Sequence, residues 1–239
     1  MTNITESTKL SENIKLIKQK IADACRGCGM NPADITLIAA TKTISAQTIK
    51  QALECGITDV GENRVQEFLQ KHDSVNDIIP NPQWHFIGHL QKNKAKYIVG
   101  KVALIHSVDS LPLALEINRQ AKKIGIVQDI LIQVNIMDEE SKFGVSPNEY
   151  TSLVEECAKL ANIKVLGLMS IPPLSSDNTI ATKTFQKSYK ILLDISSKKY
   201  HNVSMSILSM GMSGDFEQAI MAGATHIRIG SAIFGERGF

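Results

Sequence analysis

Residues 35–55 read ITLIAATKTISAQTIKQALEC, an apolar run that stops at a lysine and passes into an amphipathic pattern. The run at 35–41 is apolar almost throughout, as a strand covered on both faces must be. From Ala46 to Cys55 the pattern changes to a helical one. The two together make one strand-helix unit, with Lys42 on the loop between them. A lysine is ordinarily a solvated surface charge, so one that closes a buried strand calls for a second explanation.

The same unit recurs along the chain at intervals of roughly 20 to 35 residues. Strands are expected near residues 35–41, 59–61, 83–87, 104–108, 130–134, 164–168, 204–208 and 226–229, eight in all. Amphipathic helices are expected at 46–55, 65–71, 111–124, 149–160, 179–197 and 215–222. Strands apolar on both faces and alternating with helices form a parallel sheet sheathed in helices. Eight such units in about 205 residues fit a closed (β/α)8 TIM barrel better than an open sheet. No linker, repeat boundary or low-complexity stretch divides the chain, so residues 1–239 are expected to form a single domain, with an extra helix within 1–30 packed on the barrel.

With 43% apolar residues among 239, the chain can bury a substantial core. Lys plus Arg number 26 against 24 Asp plus Glu, and positive charge gathers only in QKNKAKYIVGK, residues 91–101. There the apolar Ala95, Ile98 and Val99 have helical spacing, which marks a solvated helix face and not a nucleic-acid surface. The opening MTNITESTKLSENIK has no basic segment followed by an apolar core, and nowhere do eighteen apolar residues run together. A cytoplasmic protein that neither binds nor crosses a membrane is expected. Four cysteines suit a reducing compartment. Cys25 and Cys28 have redox-pair spacing but close a helix running from about Ser11 to Gly27, whereas a reactive thiolate favours a helix start. They are expected to be structural, and no second clustered pair exists to hold zinc.

In a barrel of this class the functional groups stand where strands end and loops begin. Lys42 does so after the first strand, Asn63 after the second, His85 and His89 around the third, Met169 and Ser170 after the sixth, and Ser209 to Ser213 after the seventh. In SILSMGMSGDFEQAIMAGATHIRIGSAIFG, residues 206–235, Gly211 and Ser213 precede one helix, and Gly230-Ser231 ends the eighth strand. Free backbone N–H groups at such turns bind phosphate, and barrels often use the loops after strands seven and eight for it. A lysine at the mouth with a phosphate cradle across it fits a ligand that carries both an aldehyde and a phosphate, pyridoxal 5′-phosphate (PLP), joined to Lys42 as a Schiff base. A sugar-phosphate barrel could use the same two elements. His85 and His89 lack the acid of a zinc helix, and no nucleophile elbow is present, so neither metal nor hydrolase chemistry is expected.

The stretches AATKT, GENRVQEF, WHFIGHLQKNK, LIQVNIMDEESKFGV, GLMSIPP, LSMGMSGDFEQAI and HIRIGSAIFG together resemble the YggS/PROSC family, the pyridoxal phosphate homeostasis proteins. That family's barrel is similar to the N-terminal domain of alanine racemase. The resemblance runs from about Ile35 to Gly235 and implies a PLP carrier concerned with vitamin B6 homeostasis. It further implies that Lys42 carries the cofactor, that Ser213, Gly230 and Ser231 hold its phosphate, that Arg228 faces the pyridine nitrogen, and that Asn63, His85, Met169 and Ser209 line the ring pocket.

An arginine at the ring nitrogen cannot give up its proton, so the ring stays a weak electron sink. Racemisation also needs a second acid/base group, which alanine racemase draws from a tyrosine of a C-terminal β-domain. This chain ends at Phe239, and Tyr97, Tyr150, Tyr189 and Tyr200 fall in expected helices or their flanks. A carrier that stores, buffers or delivers PLP, with apo forms of PLP-dependent enzymes as acceptors and a monomeric exterior, is therefore expected. The alternative is a weak amino-acid racemase using His85 or water as its second base. Lys142, in the polar loop of residues 135–145, reads as a solvated lysine, with a mobile lid carrying a second amine as the alternative.

Overall fold

The computed structural model of the chain describes residues 2–76, 81–139, 142–173 and 178–235. It begins with helix α1 (Thr2–Cys28), followed by β1 (Thr36–Ala40), α2 (Ala46–Glu54), β2 (Asp59–Glu62), α3 (Val65–Asn76) and β3 (Gln83–Phe86). Next come β4 (Leu104–Val108), α4 (Leu111–Ile124), β5 (Gln128–Gln133), α5 (Tyr150–Ala158) and β6 (Ile163–Met169). The last elements are α6 (Asn178–Ser197), β7 (Val203–Ser209), α7 (Phe216–Met221), β8 (His226–Ile229) and α8 (Ser231–Phe234). The eight strands pair in chain order, all parallel, and β8 closes on β1 through Thr36 opposite His226 and Ile38 opposite Arg228. This is the (β/α)8 barrel that the alternation predicts.

Element ends follow local chemistry. Ser45 starts α2 by accepting a hydrogen bond from the Thr48 N–H at 3.1 Å. Gly125, at φ 72°, ends α4 in the left-handed conformation that favours glycine. The strand β5 begins at Gln128, two residues ahead of the expected run, because the Gln128 amide is satisfied there by the Val102 carbonyl and the Gly100 N–H. The helix α1 starts well before Ser11 and lays Leu10, Ile14, Ile17 and Ile21 against α7 and α8. Each such burial contributes about 1.5–3 kcal/mol. Cys25, near the end of α1, is buried, and burial first, then Cys28 and Asp34, raise its thiol pKa, as befits a structural residue. Residues 92–97 form a 3-10 helix instead of an α-helix, with Ala95, Ile98 and Val99 buried as their spacing predicts.

Strand alternation divides the core in two. One set of positions, including Ala39, Val60, Phe86, Ile105, Ile132, Leu168, Leu208 and Ile229, packs under the helices. The other set points into the barrel. One side of that interior is apolar, with Leu104, Leu131 and Met169 in contact. The other is polar, made by Asp59, His85, His106, Ser209, His226 and Arg228.

Candidate functional site

The mouth of the barrel holds a cavity of about 750 Å3 lined by Lys42, Asn63, Ile87, Ile171, Met212, Ser213, Gly214, Arg228, Gly230 and Ser231 with Ala40. Of the residues singled out in the sequence, Lys42, Asn63, Ser213, Arg228, Gly230 and Ser231 therefore share one wall-to-wall space. Among the described residues the Lys42 amine has no hydrogen-bond or ion-pair partner.

The turn that carries Lys42 is held on both sides. Before it, the Thr41 hydroxyl donates to Glu62 at 2.7 Å, and the Thr41 carbonyl accepts from Lys71 at 2.8 Å. After it, the Thr43 N–H donates to Glu67 at 2.7 Å, and Thr43 sits at φ 66°, a left-handed conformation unusual for a β-branched residue. Lys71 ties the cluster together, 2.7 Å from Glu62 and 3.1 Å from Glu67. The Glu62 side chain is fully buried, and Lys71, the Thr41 hydroxyl and the Asn63 N–H satisfy its oxygens. Burial alone would raise the Glu67 carboxyl, but the Thr43 N–H and Lys71 outweigh it and hold the pKa below its ordinary value.

Arg228 is buried, with one N–H donating to Ser209 at 2.7 Å and another to the Ser170 carbonyl at 3.1 Å. Burial lowers its pKa to about 10, with Asp215 opposing, and the guanidinium stays charged at neutral pH. Two of its five donors are thus committed, and the group is fixed in the floor of the cavity. At the far wall, Ser213 accepts from the Ala232 N–H at 3.2 Å and so caps α8 across the corner, not the helix that follows Ser213 directly. Gly230 and Ser231, at the start of α8, line the same corner of the cavity. Gly88 lets the third loop close against the second: a Cβ there would fall 2.1 Å from the Asn63 carbonyl oxygen.

Three residues implied by the resemblance lie off the cavity wall. Ser209 is buried one hydrogen bond below it, against Arg228. His85 lies deeper in the barrel, with both ring nitrogens engaged, one by Asp59 and one by His106, each at 2.9 Å. That leaves no free nitrogen to act as a second base in the cavity. Met169 packs with Leu104 and Leu131 in the apolar half of the interior. Sequence reasoning passed over Ile87, Ile171 and Met212, whose place depends on loop paths. It also passed over Asp59, His106 and His226, whose signal is a polar residue at an inward position of an apolar strand.

The four tyrosines stand apart from the cavity: Tyr200 donates to Glu155, Tyr150 reaches Asp194, Tyr97 lies under Lys96, and Tyr189 packs by Gly223. Lys142 is not the solvated lysine that its loop suggested. Its amine donates to the Pro172 carbonyl at 2.9 Å and lies 3.5 Å from Glu139, tying the loop after β5 to the loop after β6. Residues 140 and 141 of that loop lie outside the described residues. His89 stacks on Phe143 at 3.7 Å, away from His85.

The family model for the alanine racemase N-terminal domain matches residues 7–238. A pyridoxal phosphate homeostasis protein of Aquifex aeolicus is 45% identical over 95% of this chain and 97% of its own. The protein of that name from Escherichia coli is 35% identical over 96% of this chain and 97% of its own. Among solved structures, PipY of Synechococcus elongatus with PLP bound superposes with a TM-score of 0.83 at 30% identity, covering 95% of this chain and 100% of PipY. Alanine racemase from Corynebacterium glutamicum, at 13% identity and a TM-score of 0.72, shares the fold over 97% of this chain and 62% of the racemase.

Proposed function

The chain belongs to the alanine racemase N-terminal-domain family and, within it, to the pyridoxal phosphate homeostasis proteins, and we propose that it binds PLP on Lys42 as a Schiff base and stores, buffers and delivers it. The observation that carries this reading is the unpartnered Lys42 amine in one cavity with Arg228, Ser213 and Ser231. PLP supplies an aldehyde, which condenses with a primary amine and releases water, and a phosphate that needs hydrogen-bond donors.

The donor set of the cavity fits that ligand. Lys42 provides the amine on a turn that Glu62, Glu67 and Lys71 keep in place. The hydroxyls of Ser213 and Ser231 and the backbone at Gly230 hold the phosphate. Ile87 and Ile171 flank the ring, Asn63 orients its edge, and Arg228 donates to the ring nitrogen while Ser209 steadies the arginine from below. Arginine cannot pass a proton to that nitrogen, so the site favours holding the cofactor over stabilising carbanions on it. With the tyrosines remote and both His85 nitrogens engaged, the geometry supports a carrier in preference to a racemase.

The acceptors are apo forms of PLP-dependent enzymes, and the protein acts as a monomer in the cytoplasm. Its described helices include none long and apolar enough to cross a membrane. Loaded protein mixed with an apo-aminotransferase tests delivery. The acceptor is expected to regain activity as the visible absorbance of the carrier decays. An acceptor that stays inactive beside a fully loaded carrier contradicts delivery, and Lys42-dependent loss of an amino acid's Cα hydrogen to solvent would instead favour an enzyme.

A further inference from the structure

Four hydrogen bonds cross the barrel interior. Asp59 meets His85 Nε2 at 2.9 Å, His85 Nδ1 meets His106 Nε2 at 2.9 Å, His106 Nδ1 meets the Ser209 hydroxyl at 2.9 Å, and Ser209 accepts from Arg228 at 2.7 Å. Arg228 lines the mouth cavity, whereas Asp59 lines a separate cavity of about 490 Å3 at the base, beside Thr36, Leu37 and Thr58. The chain therefore runs between the two ends of the barrel through five side chains from β2, β3, β4, β7 and β8.

The two ends fix its direction. Arg228 can only donate, so Ser209 must accept from it. Asp59 as a carboxylate can only accept, so His85 must donate to it through Nε2. Burial alone would raise the Asp59 carboxyl, but hydrogen bonds from His85 and Thr58 outweigh it and keep the pKa below its ordinary value. With its one proton on Nε2, His85 has a bare Nδ1 that accepts from His106 Nε2. His106 in turn has a bare Nδ1 that accepts the Ser209 proton.

The opposite arrangement requires a doubly protonated His85 and leaves the Ser209 hydroxyl hydrogen without an acceptor among the described residues. It also places a third charge near buried Arg228. Burial, the largest cause, with Arg228 nearby, pushes the His106 pKa well below 6.5, and burial likewise takes His226, 6.2 Å and 6.3 Å from the two rings, to about 4. Neutral His106 and His226 fit this interior.

We propose that this chain runs one way, from Arg228 through Ser209, His106 and His85 to Asp59, and that Asp59, at the opposite end of the barrel from the ligand cavity, is a positioning residue for the arginine at the ring nitrogen. The link to the cofactor rests on the PLP reading above; the proton positions do not. Loss of the last acceptor lets the histidines and Ser209 reverse; Ser209 must then accept from His106 as well as from Arg228, and sharing its oxygen between two donors weakens its hold on the arginine, whose other bond to the Ser170 carbonyl is unaffected. Nothing about Asp59 suggests this from sequence, since its side chain opens to the base and not to the site.

The test is nitrogen NMR of the histidine rings in unliganded protein near neutral pH, with His85→Gln and His106→Gln to assign the signals. Both rings are expected to carry a proton on Nε2 and none on Nδ1. A proton on His106 Nδ1, or two protons on His85, overturns the proposal whether or not the protein takes up PLP. In Asp59→Leu, His106 is expected to lose its single tautomer and PLP binding to weaken about five-fold. In Asp59→Asn, whose carbonyl still accepts, the tautomer and the affinity are expected to be kept. Folded Asp59→Leu protein with an unchanged His106 tautomer and unchanged affinity contradicts the positioning role.

Discussion

Lys42 and Lys71 lie at the same turn and have opposite surroundings. Lys71 is held by three oxygens and neutralises two carboxylates, whereas Lys42 is presented to a cavity with no partner among the described residues. The first lysine makes the second available, because its cluster fixes the backbone before and after Lys42. Replacing Lys71 with Met keeps the volume and leaves Glu62 buried without its cation. The expected cost is about 3–5 kcal/mol in urea unfolding, and a change under 1 kcal/mol would show that the cluster is not a stabilising pair. Ser213→Ala removes a hydroxyl from the proposed phosphate corner and the cap on Ala232. PLP affinity measured by titration is expected to fall about five-fold while attachment to Lys42 persists. Unchanged affinity would move the phosphate elsewhere in the cavity.

At the level of elements, the site is made by loops that approach closely, and Gly88 is the tightest of these approaches. Gly88→Ala sets a methyl 2.1 Å from the Asn63 carbonyl, which only backbone movement relieves. A loss of about 1–3 kcal/mol in stability, with weaker PLP binding, is expected, and wild-type values for both would contradict the packing described. The eight strands and the barrel were legible in the sequence because short apolar runs recur along the chain and most are followed by a helical pattern, although several strands carry polar residues on their inward face. Where an end was misjudged, a satisfied polar residue hid it, as Gln128 does at β5. Loop residues such as Lys42, Asn63 and Ser213 were legible for a related reason: a residue just past a strand end has little choice but the mouth. Residues within strands were not. Whether His85 or Ser209 faces the cavity or the space beneath depends on how deep the inward position lies, and pattern does not measure depth.

For the whole molecule, the buried histidines predict lability to acid. His226 is taken to about 4 in the folded chain by burial, against about 6.5 when unfolded, and His106 moves the same way. Between those values the unfolded state binds more protons, so stability rises with pH across the window and is lost as pH falls from about 6.5 toward 4. His226 alone contributes of order 2–3 kcal/mol. Urea midpoints across this range are expected to fall with acidity and to fall less in His226→Gln. A flat profile would mean that the interior histidines are not held neutral. The proposed function depends on one bond, between the amine of Lys42 and the cofactor. Borohydride reduction of PLP-loaded protein, followed by peptide mapping, tests it most directly. A pyridoxyl adduct on Lys42, absent from Lys42→Ala, is the predicted result. A protein that takes up no PLP, or an adduct confined to another lysine, would contradict it.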